Sequence, residues 1–322
     1  MDGYGIPKHA LMMIVAVVAS FSEASAQTNE SPSDDKPIDE IVFEPSASFS
    51  ETNNLNEAIV DSDKLGGAGA VIVDFKLFPE IHVARISGSL CTASVVGPRT
   101  VLLAAHCVYE KRKIRVAGLS AECEISRAYD PAKAYGLTAD YALCVTEEDI
   151  PNSVYGTVAL EDDKIARGRY LLLSGAGCTE WNERDGKLRV GHARIVSTPN
   201  TASNDIVLDW EKVYFGGGEG AALCPGDSGG PAFYLPDVNK FQPRFIAGVN
   251  ARTAAVCVPD PSIPARDCPN GDVKILGTSY VSSLATDEAQ SFFQEFVDPE
   301  RMGVGANSLI CGFNFEDEKC MR

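Results

Sequence analysis

The chain has 322 residues, 45% of them hydrophobic and 8% aromatic, which is apolar material for one large globular domain or two and too much for a disordered chain. Its formal charge of −17 comes from 45 acids against 28 Lys and Arg. Such an excess of negative charge argues against nucleic acid or an anionic membrane surface as a partner.

Taken from the N-terminus, residues 10–18 (ALMMIVAVV) form an apolar run behind Lys8 and His9, and ASA at 24–26 offers small residues for cleavage before Gln27. The run is too short to cross a bilayer, so residues 1–26 read as a secretory signal peptide. Residues 27–64 carry ten acids against Lys36 and Lys64 and are rich in Ser, Asn and Pro, with short apolar islands such as IVF at 41–43. That composition predicts a largely flexible acidic pro-segment. Ten cysteines, an even number, lie beyond the signal, and in a chain that leaves the cytosol they predict disulfides. No C-x-x-C or H-E-x-x-H occurs, and only His82, His106 and His192 follow the signal, so no metal or cofactor is expected.

From Leu65 onward the sequence breaks into short apolar runs divided by Gly, Pro and Asp: AVIVDF (70–75), TASVV (92–96), TVLLAA (100–105), YALCV (141–145), YLLLSG (170–175), DIVLDW (205–210) and FIAGV (245–249). These are strand signals, and many short strands predict a sandwich or a barrel. One helix is predicted at 286–298, with Thr286 as N-cap, acids in the first turn and an apolar stripe of Phe292, Phe293, Phe296 and Val297. A glycine-rich tail closed by Cys311 and Cys320 follows it.

The chemistry concentrates in CPGDSGGP at 224–231, where Asp227 and Ser228 stand among three glycines. A serine hydroxyl is a weak nucleophile at neutral pH and needs a histidine oriented by a buried carboxylate. TVLLAAHCV sets His106 just past an apolar strand, and TADYALCV sets Asp140 at the start of another, ahead of residues that would bury it. The chain order is His106, Asp140, Ser228.

Together, CTASVVGPRTVLLAAHC, DYAL and CPGDSGGP resemble the trypsin/chymotrypsin family of serine proteases, over residues 65–298. The resemblance implies an all-β fold of two antiparallel six-stranded β-barrels with a C-terminal helix, followed by a tail at 299–322 with a small disulfide loop. It implies that Ser228 attacks, His106 moves the proton and Asp140 holds the imidazole tautomer, with the N–H groups of Gly226 and Ser228 forming an oxyanion hole. By the same resemblance Asp227 turns inward to pair with a freshly made N-terminal ammonium, and Cys224 tethers the loop. Neither metal nor cofactor is required.

The family pattern is kept only in part elsewhere. Lys64-Leu65-Gly66-Gly67 partly matches an activation junction, so cleavage after Lys64 would free the Leu65 amine. Ala222 and Leu223 stand where the family keeps the base of its specificity pocket, and neither neutralises a buried cation. A small or medium apolar residue before the scissile bond is therefore expected, unless Asp272 swings in to restore basic specificity. The strand meant to pair with substrate reads GVNART (248–253) instead of a Ser-Trp-Gly pattern.

The resemblance pairs Cys91 with Cys107. Proximity pairs Cys311 with Cys320, and Cys123 with Cys144, Cys178 with Cys224 and Cys257 with Cys268 complete one of the connectivities open to ten cysteines. The expectation is a secreted (extracellular or periplasmic) monomeric endopeptidase acting on proteins or peptides and matured by a different protease. The alternative is an inactive homologue that keeps the fold as a binding or adhesion module.

Overall fold

The structure is a computed structural model that describes residues 40–42, 70–132, 139–178, 186–200, 203–213, 217–258 and 274–321. The first group of strands is β1 (Glu40–Val42), β3 (Ile81–Ile86), β4 (Ser89–Val95), β5 (Thr100–Leu103), β6 (Lys113–Val116), β7 (Leu119–Ile125) and β8 (Ala142–Thr146). They form a closed barrel in the order β1-β3-β4-β5-β8-β7-β6. Alternating residues point in and out along β6 and β7, as a half-solvated wall requires, whereas every residue of β5 and β8 is buried, because these strands are covered on both faces.

The second group is β2 (Ala70–Ile72), β10 (Tyr170–Gly175), β11 (Arg189–Ser197), β12 (Asp205–Val213), β13 (Gly217–Glu219), β14 (Pro231–Tyr234), β15 (Phe245–Val258) and β16 (Lys274–Ser283). Its order is β13-β12-β16-β15-β14-β10-β11-β2, and an added β11–β12 pairing curls the sheet back on itself. This is the expected chymotrypsin-like double barrel, with three strands beyond six per barrel: β1 between β3 and β6, and β2 and β13 at the two ends of the second sheet. Glu40–Val42 therefore departs from the flexible segment its surroundings suggest; IVF is a β-branched apolar island with two strand edges to fill.

Helix α1 (Ala105–Val108) is a single turn directly after β5. Helix α2 (Asp287–Val297) starts where Thr286 accepts a hydrogen bond from the Ala289 amide at 3.2 Å, and it buries Ala289, Phe292, Phe293 and Phe296. The tail beyond it is part of the core. Ile310 and Cys311 are fully buried, the Cys311 amide donates to the Val96 carbonyl, and β17 (Cys320–Met321) pairs with β9 (Tyr155–Gly156). Disulfides join Cys91 to Cys107, Cys123 to Cys144, Cys178 to Cys224 and Cys311 to Cys320. Cys257 is also disulfide-bonded; Cys268 lies outside the described residues.

Glu80, just ahead of β3, and Arg244, just ahead of β15, form a fully buried bidentate pair at 2.6 and 2.8 Å. The guanidinium also donates to the Leu77 and Phe241 carbonyls and lies 4.4 Å above the Phe78 ring. Removing one partner strands an unpaired charge in the interior. Glu80→Ala should therefore lower the unfolding free energy by about 3–5 kcal/mol, measured by denaturant titration, whereas Glu80→Met with Arg244→Met should recover most of that loss.

Candidate active site

Strands β5 and β8 are paired neighbours, with Leu103 opposite Ala142, so the residues just past one and just before the other emerge at the same barrel edge. These residues are His106 and Asp140. The Cys91–Cys107 disulfide ties the histidine turn to β4. Asp140 Oδ2 lies 2.6 Å from His106 Nδ1, and Oδ1 accepts the His106 backbone N–H at 2.9 Å. An ionised carboxylate only accepts, so Nδ1 carries the proton and Nε2 is left as the basic nitrogen. Burial disfavours the charged imidazole, but the hydrogen bond to Asp140 and its negative charge outweigh that and hold the His106 pKa above its ordinary value. About a third of the side chain (34%) remains exposed.

Behind Asp140 a polar chain runs into the second barrel. The Asp140 amide donates to Ser282 Oγ (3.1 Å), and Ser282 Oγ donates to Asp205 Oδ1 (3.2 Å). Arg252 donates to Asp205 Oδ2 (2.9 Å) and stacks 4.2 Å from the Tyr280 ring centre. Burial raises the Asp205 pKa and the nearby Asp140 charge adds to that, while Arg252 and Ser282 pull it back. Thus the GVNART strand contributes a cation next to the second buried acid.

Ser228 comes to this edge from the second barrel. Its carbonyl accepts from the Thr92 amide at 2.7 Å. At Gly229 a Cβ would stand 2.2 Å from the Thr92 carbonyl oxygen and 2.9 Å from the Ala104 nitrogen, so only glycine lets the nucleophile loop press against the strand that leads to His106. Asn250, fully buried, holds the loop from behind by accepting from the Gly229 amide and donating to Gly230 and Ser174 carbonyls. No hydrogen bond joins the Ser228 hydroxyl to the imidazole among the described residues; such contacts commonly tighten only when substrate is bound.

Gly226 has φ +106°, which favours glycine, and its carbonyl accepts from Thr92 Oγ1 at 2.9 Å. The Pro225 carbonyl accepts from the Cys178 amide at 3.2 Å, so across a trans peptide the Gly226 N–H points the opposite way. The Gly226 and Ser228 N–H groups have no acceptor among the described residues. Asp227 is turned inward against Gly175 and Gly177, accepting from the Gly177 and Cys224 amides at 2.8 Å each. Burial pushes its pKa up to about 6, against the pull of the two amides and of Arg189. The Cys178–Cys224 disulfide braces the two segments that supply those amides.

Of the residues expected at the pocket base, Leu223 is buried in the second barrel's core, with its amide on Ser279 Oγ at 3.1 Å, and Ala222 is half-buried. Lys64, Leu65 and Asp272 lie outside the described residues. The sequence reading passed over Thr92, Ser282, Asp205 and Arg252. Asp205 carried a usable signal, since an acid opening the apolar run DIVLDW repeats the pattern by which Asp140 opens DYALCV.

A double barrel that brings Ser228 to the same junction as a histidine–carboxylate pair has the fold of a trypsin-like protease domain. Residues 76–258, over half of the chain, match the family model described as Trypsin, and the chain belongs to that family. Crystal structures of two scabies mite inactivated protease paralogues, S-I1 and S-D1, are similar to it at TM-score 0.48, with 15% and 17% identity, covering 71% of this chain and 98% and 96% of theirs. Among curated proteins none matches.

Two titrations follow from this geometry. In Asp140→Ala, which removes both the charge and the hydrogen bond, burial is left acting on His106, so its pKa should drop below the ordinary value; NMR titration of the imidazole, in a Ser228→Ala background, reads the sign directly. Asp227 holds its proton more tightly folded than unfolded, so between about pH 4 and pH 6 the uncut chain binds more protons folded and loses stability as pH rises. The loss is at most about 3 kcal/mol, and Asp227→Asn should remove it from the stability–pH curve.

Proposed function

We propose that this protein is a secreted serine endopeptidase, made as a zymogen, that cleaves peptide bonds through an acyl-enzyme. The observation that carries the reading is the His106–Asp140 pair, held by two hydrogen bonds from one carboxylate at the edge where Ser228 is seated. Ser228 attacks the scissile carbonyl while His106 Nε2 takes its proton, and the imidazolium forms beside the negative charge that favours it. The Gly226 and Ser228 N–H groups receive the developing oxyanion. His106 then passes the proton to the leaving amine, and water repeats the sequence on the acyl-Ser228 ester.

Disulfides support an oxidising compartment, and no helix among the described residues is long and apolar enough to cross a membrane. The pairing scheme supports maturation near Lys64. Ile72 of β2 lies beside Arg189, Arg189 lies opposite Gly175, and Gly175 packs on the Asp227 carboxylate. A new amine at Leu65 would lie five residues before β2 in the chain, and Asp227 is an inward-turned acid whose charge an ammonium would stabilise. Ala222, half-buried, offers no charge to neutralise a basic side chain, which favours a small or medium apolar residue before the scissile bond and does not suit Lys64 as a self-cleavage site; Leu223, buried in the core, takes no part.

A fluorophosphonate probe should label Ser228 in the matured protein, and Ser228→Ala should lose both the label and activity by about a millionfold. Absence of labelling in a folded, cleaved protein would identify an inactive homologue. Purified proenzyme incubated alone should stay uncut at Lys64 and respond to an added Lys-specific protease, as N-terminal sequencing reads. Activity should fall on the acid side as His106 protonates, at a pH above the ordinary histidine value.

A further inference from the structure

β1 is drawn from the segment that maturation is proposed to sever, yet it is a paired strand of the first barrel. Glu40, Ile41 and Val42 are antiparallel to Arg85, Ala84 and Val83 of β3, and on the other edge Glu40 and Ile41 run parallel to Arg115 and Val116 of β6. The barrel order places β1 between β3 and β6, so it supplies the closure. The register sets Glu40 level with Arg85 on one edge and Arg115 on the other. On the far side of the segment 43–69, β2 is paired to β11 in the second barrel. Both flanks of a cut at Lys64 are therefore anchored in sheets.

We infer that the acidic segment remains with the cleaved protein as a noncovalent light chain, its β1 strand seated in an acceptor groove between β3 and β6. Residues 27–64 contain no cysteine, so strand pairing has to do the holding. Loss of β1 would leave the facing edges of β3 and β6 with unpaired backbone groups, the exposure that barrels exist to avoid. The occupant the groove fits is an extended acidic-apolar strand of the Glu-Ile-Val type. Of the proposed maturation, this inference needs only a cut between β1 and β2.

The test separates the two. A recognition sequence for a site-specific protease is inserted after Ser62 in the full chain carrying Ser228→Ala, the chain is cut, and the products are run on native gel filtration with mass spectrometry. The fragment containing residues 27–62 should co-elute with the barrels and separate only in denaturant. Ile41→Pro removes one backbone donor from a strand paired on both edges and should release the fragment about tenfold faster. A wild-type fragment that elutes apart from the barrels, or leaves as fast as the Ile41→Pro fragment, overturns the inference whatever the natural cleavage site. Should Ile41→Pro fail to fold, exchange decides: excess synthetic peptide of residues 34–48 should displace an isotope-labelled fragment, and a fragment unmoved by that peptide but released by salt would show nonspecific adhesion and overturn it. Failure of natural cleavage near Lys64 would count against the maturation reading alone.

Discussion

His106 and Asp140 on the first barrel and Ser228 on the second keep their relative placement only if the barrels cannot slide, and the buried Glu80–Arg244 pair resists sliding. Its two charges enter the junction from opposite barrels, and neither reaches solvent. Taking both out of water costs several kcal/mol each, which the bidentate contact, two backbone carbonyls and the Phe78 ring face offset only in that one alignment. An apolar pair would tolerate a shifted contact, because hydrophobic packing has no direction. The ion pair does not, since a displacement of about an ångström breaks hydrogen bonds that no water replaces. Register between the barrels, and with it the seating of Ser228 against the histidine turn, is what this pair supplies.

The active edge is held from behind by polar groups that each have a stated partner. Asp140 faces His106 with its carboxylate and Ser282 with its amide, and Ser282 passes the contact on to Asp205. Two buried acids so close would disfavour each other's charge, and Arg252 offsets the second. The Gly226–Asp227 loop is arranged on the same logic. Asp227 gathers two amides from segments joined by a disulfide, and Thr92 Oγ1, which accepts from the Ala176 amide, donates to the Gly226 carbonyl. Each contact fixes the backbone around Gly226 and Asp227.

Chain order and spatial order part company at both ends of the protein. β1 belongs to the first barrel and β2 to the second, although one follows the other in sequence. The tail after α2 returns to the first barrel, where Cys311 pairs through its backbone with Val96 and Val158 and β17 lies beside β9. Gln290 of α2 also donates to the Leu160 carbonyl, fastening the helix to the segment that links the barrels. The tail, an appendage in the sequence, is thereby buried against the first barrel, and β1 and β2 are paired into the two sheets.

Local sequence determined what local chemistry can express. Short β-branched apolar runs announced seven of the strands, Thr286 announced the start of α2, and three short motifs announced the histidine, aspartate and serine with the glycines around them. Those features are legible because each depends on neighbours within a few residues: a strand on its period, a cap on its hydroxyl, a nucleophile turn on its glycines. Only the tertiary structure decided that Glu80 meets Arg244, that Asp205 and Arg252 stand behind Asp140, that Thr92 fastens the Gly226–Asp227 loop, and that three residues of an acidic segment close a barrel. These contacts join positions far apart in the chain, such as Glu80 and Arg244, 164 residues from each other. Their free energy comes from burial and from the pairing of polar groups that burial enforces, and a sequence read along its length does not show which distant groups the fold will bury together.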